Sequence, residues 1–184
     1  VDVHKRLVFN WAICPKHMVI DDRLTSMTTL DSMDARILLA LDDEPDASVL
    51  QLARTLAISR NTVYARLQRL QREGAFLGFS QRVTPETLGY PVVAFVSLSV
   101  SQIQGAGAAA ALADTPEVIE VHATTGDADY LVKVVARDTE DLYRITNHIL
   151  AVEGVVRSNT VISLSQVIGN RTRPLLERLV TDPG

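Results

Sequence analysis

The chain has little of several features that would define a site or a compartment. It contains a single cysteine, Cys14, among 184 residues, so an intrachain disulfide and a zinc site built from several cysteines are both excluded. A reducing compartment fits that composition, and we expect a cytoplasmic protein. No apolar run approaches the roughly 18 residues that a membrane-spanning helix needs, so we expect no membrane partner.

Lysine is also scarce, with 3 residues against 15 arginines, a bias that we attribute to a GC-rich bacterial genome. The net charge is only −4, but its distribution along the chain is uneven. Residues 54–82 carry six arginines against one glutamate, whereas residues 31–46 carry six acids against one arginine. From Val83 onward the chain is acidic overall. The sequence therefore predicts one compact basic surface on an otherwise acidic molecule.

The basic region coincides with the most informative segment of the sequence, residues 49–74, VLQLARTLAISRNTVYARLQRLQREG. It predicts two short helices joined by a tight turn, with Ser59 capping the second helix. In that second helix one face is apolar, because its aliphatic residues recur at i, i+4 and i+7. These residues are Val63, Leu67 and Leu70, and the first helix has an apolar side made of Leu50, Leu52, Ala53 and Leu56.

A separate, arginine-rich face on the second helix predicts a helix that enters the major groove of DNA. At its start, side chains and unpaired backbone N–H groups would meet DNA, and Asn61 can pair with adenine. Further along, Arg66 can pair with guanine, while Arg69, Arg72 and Arg82 are placed to meet phosphates. The candidate DNA-binding residues are Ser59, Arg60, Asn61, Thr62, Arg66, Arg69, Arg72 and Arg82. The alternative is a solvated charged face with no partner.

The remaining pattern predicts an α+β chain. Asp31 or Ser32 can cap a first helix that runs to about Leu41, and the strand-like segment Phe76–Val83 would form a small β wing. Strands and helices then alternate in the order βαββαβ, which indicates a ferredoxin-like sandwich with its two helices on one face of an antiparallel sheet. The predicted elements are strands at 92–100, 118–124, 130–136 and 155–164, helices at 104–113 and 139–151, and a hairpin turn at 126–129.

Five segments follow from this pattern. They are an N-terminal extension that packs poorly (1–29), a winged helix-turn-helix DNA-binding domain (30–83), a linker (84–90), a ferredoxin-like domain for effector binding and oligomerisation (91–168) and a tail that is helical in part (169–184). The uncovered face of the sheet, with the first strand and its residues Phe95, Val96 and Leu98, is the predicted dimer interface.

Three stretches of this sequence resemble the Lrp/AsnC (feast/famine) transcriptional regulators. LDSMDARILLAL is similar to the first helix of that family, AISRNTVYARLQRLQREGAFLGFSQRVTPETLG to its recognition helix, wing and linker, and VIEVHATTGDADYLVKVVARD with GVVRSNTVISL to its effector-binding body. The resemblance implies a homodimer that assembles to a tetramer or octamer, binds double-stranded promoter DNA, and responds to an amino acid or similar metabolite. It implies no enzymatic activity and no cofactor.

The same resemblance places an effector site between dimers, around the hairpin turn. The candidate effector residues are Thr125, Gly126, Asp127, Asp129 and, more weakly matched, Thr160. Free amides around a glycine can bind a carboxylate, and Asp127 or Asp129 can pair with an α-ammonium group. The alternative is that Gly-Asp-Ala-Asp is a hairpin turn and nothing more, since glycine and aspartate suit such turns.

Two other functions compete with the regulator. The architecture also resembles that of sirohaem decarboxylases, where His122 and His148 would have to act, but no acid–base pair is visible in the sequence. A metabolite-binding module of the ACT type would leave residues 31–83 unexplained. Cys14 and His17 hint at a metal, yet no second pair completes four ligands, so we expect no metal site.

Overall fold

The computed structural model describes residues 29–101 and 107–182. Within them the chain forms two compact units. Residues 29–82 with 167–182 make the first unit, and residues 83–101 with 107–166 make the second. Most of the predicted N-terminal extension, including Cys14 and His17, lies outside the described residues.

The first unit opens with three helices, α1 (Ser32–Asp43), α2 (Val49–Leu56) and α3 (Arg60–Arg72). Each begins directly after a residue whose side chain accepts a hydrogen bond from a backbone N–H that would otherwise lack a partner. The capping residues are Asp31, Ser48 and Ser59. The predicted cap at Ser59 is therefore confirmed, and of the two candidates for the first helix the structure uses Asp31 and not Ser32.

The core of this unit is a cluster of buried Leu52 and Val63, against which Ala40 and Leu41 of α1 pack. Ile37 of α1 is also fully buried. Leu70, one turn before the end of α3, is also fully buried, so the predicted apolar face of that helix is confirmed. The prediction for Leu50 was wrong, because this side chain is 41% exposed at the start of α2. Position 50 lies in the first turn of the helix.

A fourth helix belongs to the same unit although it lies at the far end of the sequence. Helix α6 covers Arg173–Thr181 and packs against α1. Its Leu176, Leu179 and Val180 are half-buried, and its first residue forms an ion pair in which Arg173 Nη1 lies 2.8 Å from Asp43 Oδ1. The predicted tail is thus helical and forms part of the first unit.

The predicted β wing does not form a strand. Phe79–Arg82 is instead a short 3-10 helix, preceded by Gly78, whose N–H donates to Gln81 Oε1 at 3.1 Å. These local bonds satisfy backbone groups that a strand could pair only with a neighbouring strand. A second 3-10 turn, Pro85–Leu88, ends at Gly89 with φ +88°, where the sequence predicts the linker.

The second unit is the predicted sandwich. Its elements are β1 (Val92–Val100), α4 (Ala108–Ala113), β2 (Val118–Ala123), β3 (Tyr130–Ala136), α5 (Thr139–Leu150) and β4 (Val155–Ile162). The strands form one sheet in the order β2-β3-β1-β4, and all three neighbouring pairs are antiparallel. The βαββαβ order is confirmed.

Alternation along β1 separates the two faces of this sheet. Val96 and Leu98 are fully buried beneath the helices with Ile145 of α5, whereas Phe95 points to the other face and is 38% exposed. The placement of Val96 and Leu98 in a dimer interface was therefore wrong, because successive strand residues point to opposite faces. Phe95 and its cross-strand neighbour Val161, 58% exposed, stay on the uncovered face.

Residues 29–101 and 107–182 contain neither a membrane-spanning helix nor a candidate metal-binding cluster. No helix among them combines the length and the apolar character that crossing a membrane requires. Within residues 29–101 and 107–182, no three or more His, Cys, Asp or Glu side chains come close enough to hold a metal ion.

Candidate nucleic-acid interface and effector site

Helix α3 presents its first turn to solvent. The Ser59 hydroxyl accepts a hydrogen bond from the Thr62 backbone N–H at 3.0 Å and lies 2.8 Å from the Thr62 hydroxyl. Arg60 and Asn61 follow the cap and are both exposed. The N-terminus of an α-helix carries a partial positive charge, so this turn offers polar side chains and a favourable field to an anion such as a DNA phosphate.

Two of the predicted DNA-binding arginines have partners within the unit. Arg66 Nη1 lies 2.6 Å from Asp31 Oδ2 and 2.8 Å from Asp34 Oδ1. Arg69 Nη2 also pairs with Asp34, whose side chain is fully buried. The two arginine side chains are only 27% and 30% exposed. Contact of Arg66 and Arg69 with DNA stays a prediction, and these ion pairs count against it.

The geometry of α3 explains this arrangement. At about 100° per residue, Arg66 lies roughly 60° from Val63, on the side of the buried face, and Arg69 lies a further 60° away. Both side chains therefore reach α1, where two acids occupy its cap and first turn. Burial acts to raise the pKa of Asp31, but the hydrogen bond from Arg66 and the backbone amides of Asp34 and Met33 hold it below its ordinary value. Bonds to the same two acids raise the pKa of Arg66.

The other predicted DNA-binding arginines are exposed. Arg60, Arg72 and Arg82 all lie at the surface of this unit. No acid of the described residues forms an ion pair with Arg60 or Arg72. Arg60 and Arg72 can therefore meet DNA without first breaking an ion pair seen in this unit.

The β2–β3 turn holds four of the five predicted effector residues. Thr125, Gly126, Asp127 and Asp129 are all exposed there. Gly126 has φ +117°, a backbone conformation that other residues adopt only with strain, and no atom lies within 4 Å of the position that a Cβ would occupy. Its backbone is thus open to a ligand on that side.

The two aspartates of the turn differ in what they contact. Asp129 Oδ2 accepts a hydrogen bond from the Val100 N–H at 2.8 Å, and the Asp129 N–H donates to the Leu98 carbonyl at 2.8 Å. Asp129 therefore ties the turn to the end of β1. The described residues give the Asp127 carboxylate no partner, although its backbone carbonyl accepts from the Ser99 hydroxyl at 3.3 Å. Both aspartates are exposed, but only Asp127 offers a carboxylate that has no partner among the described residues.

Thr160 is not brought to this turn. It lies in β4 opposite Val96, in the middle of the β1–β4 pair, whereas the turn lies beyond the Leu98–Tyr130 end of the sheet. The strand β1 separates it from β3. Within a single chain, Thr160 and the turn therefore cannot share one small ligand.

The sequence matches two family descriptions that divide it as the structure does. Residues 30–75 match "Winged helix-turn-helix DNA-binding", and residues 93–172 match "Lrp/AsnC ligand binding domain". The HTH-type transcriptional regulator FL11 of Pyrococcus furiosus is 30% identical over 73% of this chain and 89% of its own. The chain belongs to the Lrp/AsnC family of transcriptional regulators.

Solved structures agree with this membership. AsnC of E. coli has a TM-score of 0.72 at 28% identity, covering 80% of this chain and 100% of its own. The feast or famine regulatory protein of M. tuberculosis, solved in complex with L-methionine, has a TM-score of 0.67 at 26% identity, covering 78% of this chain and 97% of its own. Members of the Lrp/AsnC family are regulators and not enzymes, so the decarboxylase hypothesis is excluded.

Sequence reasoning missed several residues of the candidate DNA interface. Tyr64 is 59% exposed and Gln68 is exposed, both on the outer side of α3. Asp34 was not singled out, although an acid three residues before the buried Ile37 occupies an inward-facing position. A helical projection of α3 centred on its buried residues places Tyr64 and Gln68 on the side facing solvent. The same projection places Arg66 beside the buried face, away from the outer side.

Proposed function

We propose that this Lrp/AsnC-family regulator binds a specific promoter sequence through α3, and that an amino acid bound at the β2–β3 turn modulates the binding. Promoter binding takes place in the cytoplasm, where we place the protein. The observation that carries the DNA half is the exposed first turn of α3, where Arg60 and Asn61 follow a formed Ser59 cap. Arg72 and Arg82 flank it as phosphate contacts.

Phosphate contacts supply most of the affinity in such an interface, while contacts to base edges supply the selectivity. Asn61 can donate and accept in a bidentate pair with adenine. The acidic second unit repels the phosphate backbone, which leaves the basic first unit as the part of the chain that DNA approaches.

The effector half of the proposal rests on the turn. A zwitterionic amino acid needs donors for its carboxylate and an acceptor for its ammonium group. The exposed backbone around Gly126 offers donors, and the Asp127 carboxylate offers the acceptor. A family relative bound to L-methionine supports an amino acid as the ligand class. Asp129 and Thr125 complete the candidate set, and Thr160 joins it only if a second copy supplies that threonine.

We propose further that the chain works as a homodimer or a higher oligomer. The uncovered sheet face carries exposed Phe95 and Val161, while Lys133 Nζ pairs with Glu120 Oε1 at 2.9 Å on the same face. Exposed apolar side chains on a sheet face with no helices over it are typical of an interface between copies. Contact between the sheet faces of two copies would remove the apolar side chains of both copies from water.

Selection of bound DNA from a random pool, repeated with each of the twenty amino acids, tests both halves. We expect one enriched sequence with twofold symmetry, and a change in the enriched fraction with one or a few amino acids. A pool that stays random would refute sequence-specific binding. An enriched sequence that no amino acid affects would refute the effector half alone.

A further inference from the structure

The outer side of α3 holds residues that neither the family match nor the ion pairs of this unit account for. With Val63 and Leu70 facing the core, the opposite side of the helix is centred about 180° away. The residues within about 60° of that direction are Asn61, Ala65, Gln68 and Arg72, with Arg69 at the edge of this sector. Tyr64 lies beside Gln68, about 40° further round.

Arg66 and Arg69 do not belong to this outer surface in practice. Their guanidinium groups point to α1, where Asp31 and the fully buried Asp34 bind them. A guanidinium that leaves Asp34 would leave a buried carboxylate without its charge partner, which is strongly unfavourable. DNA can contact the neutral side chains on the outer side of α3, and also Arg60 and Arg72, without separating a buried ion pair.

We infer that Gln68 and Tyr64 are specificity-determining residues of this regulator, reading base pairs alongside Asn61 in the major groove. This inference rests on the proposed DNA binding and names its contacts. The Gln68 amide presents a donor and an acceptor, the pair that matches the N6 and N7 atoms of adenine. The Tyr64 ring, 59% exposed on a helix that is otherwise polar outside its core, matches the methyl group of thymine.

The spacing of these residues fixes how their contacts are ordered on DNA. Asn61 and Gln68 are seven residues apart, or about 10 Å along the helix axis. Base pairs stack about 3.4 Å apart, so a helix lying along the groove would place the Asn61 and Gln68 contacts about three base pairs apart. Tyr64 lies between Asn61 and Gln68 along the helix axis and would contact a base pair between those that they contact.

The test begins with the enriched sequence of the wild-type protein and repeats the selection with Gln68→Ala. We expect one A·T position in each half-site to lose its preference about tenfold or more, while the other positions keep theirs. Gln71→Ala is the matched control, because Gln71 is also an exposed glutamine on α3 but lies about 60° closer to the core side. It should leave every position unchanged.

The proposed contact between Tyr64 and a thymine methyl group can be tested by removing that methyl group from the DNA. Replacing thymine by uracil at each position of the selected site removes the methyl and nothing else. At one position the wild type should lose several-fold in affinity, whereas Tyr64→Ala should bind both DNAs equally and Tyr64→Phe should behave as the wild type. Both side chains are exposed, so circular dichroism should give each variant the wild-type helix content.

Each outcome is decisive. If the wild type enriches a sequence and Gln68→Ala and Tyr64→Ala enrich it with the same base preferences, the assignment of Gln68 and Tyr64 is refuted while the proposed function stands. If the wild type enriches no sequence, the proposed function fails and this inference fails with it. A lost preference that appears equally in Gln71→Ala also refutes the assignment.

Discussion

Asp34 shows how one buried side chain can decide the role of its neighbours. Its carboxylate is fully buried and binds two guanidinium groups from α3, while Asp31 both caps α1 and binds Arg66. Charge on a predicted DNA-binding helix is therefore not the same as charge available to DNA. Of the six arginines in residues 54–82, two hold helices together.

Arg66→Ala should weaken DNA binding without altering its dependence on salt. Loss of one phosphate contact lowers the slope of log affinity against log salt by about 0.9. Because Arg66 binds α1, we expect an unchanged slope together with a loss of thermal stability. Arg72→Ala is the control and should lower the slope by about 0.9 with little effect on stability.

Fluorescence anisotropy titrations at several salt concentrations measure both slopes. A reduced slope for Arg66→Ala with unchanged stability would mean that Arg66 contacts a phosphate and does not hold α3 to α1.

Asp31 should make the first unit sensitive to acid. Its folded-state pKa is lowered, so the carboxylate contributes stability above the unfolded pKa of about 3.9 and loses that contribution as the pH falls through the lower folded value. Asparagine caps helices as well as aspartate does. Asp31→Asn should therefore keep the cap, lower stability at pH 7, and flatten the decline below about pH 4.

Unfolding followed by circular dichroism between pH 2.5 and 7 would check this. Parallel pH profiles for the wild type and Asp31→Asn would contradict it.

The helices and strands themselves follow closely from local sequence, with one exception. Caps at Ser48 and Ser59 and the alternation in β1 identify their elements because the signals lie within a few residues. The wing at 76–83 was predicted as a strand, and it failed because a strand depends on a partner that local sequence does not reveal. The ion pairs of Arg66 and Arg69 depend on contacts across more than thirty residues, so helical spacing alone could not assign them.

The β2–β3 turn offers two aspartates whose substitutions should have opposite consequences. Asp127→Asn should lower amino-acid affinity about tenfold or more, because it removes the charge that meets the ammonium group. It should not alter stability. Asp129→Ala should destabilise the second unit by about 0.5–1.5 kcal/mol, because the Val100 N–H exchanges the Asp129 carboxylate for water.

Calorimetric titration and thermal unfolding of both variants separate the two effects. Equal ligand affinity for wild type and Asp127→Asn would remove Asp127 from the effector site.

The whole chain is connected through its two units in an unusual order. Residues up to Arg82 belong to the first unit and the residues that follow form the sheet unit. From Val167 the chain belongs to the first unit again, where α6 packs on α1. The unit that carries α3 is therefore completed by residues that follow the sheet in the sequence. The contact rests on half-buried Leu176 and Leu179, while the Arg173–Asp43 pair is more exposed.

Substitutions in α6 should loosen α1, and the apolar ones should do so more. Leu176→Ala with Leu179→Ala should speed amide hydrogen exchange in α1, since packing on that side is lost. Arg173→Ala should have a small effect, because solvent screens an exposed ion pair and holding its side chains in place costs entropy. Hydrogen exchange followed by mass spectrometry on peptides covering 32–43 measures this. Unchanged exchange in the double variant would show that α1 is stable without α6.

The packing of α6 on α1 has a practical consequence for anyone who labels the protein. A fluorophore attached at Arg178, an exposed position of α6, would lie in the same unit as α3 and on a helix that packs against α1. A reporter placed there would sense changes in the DNA-reading unit, whereas a bulky group at the same point would risk disturbing it.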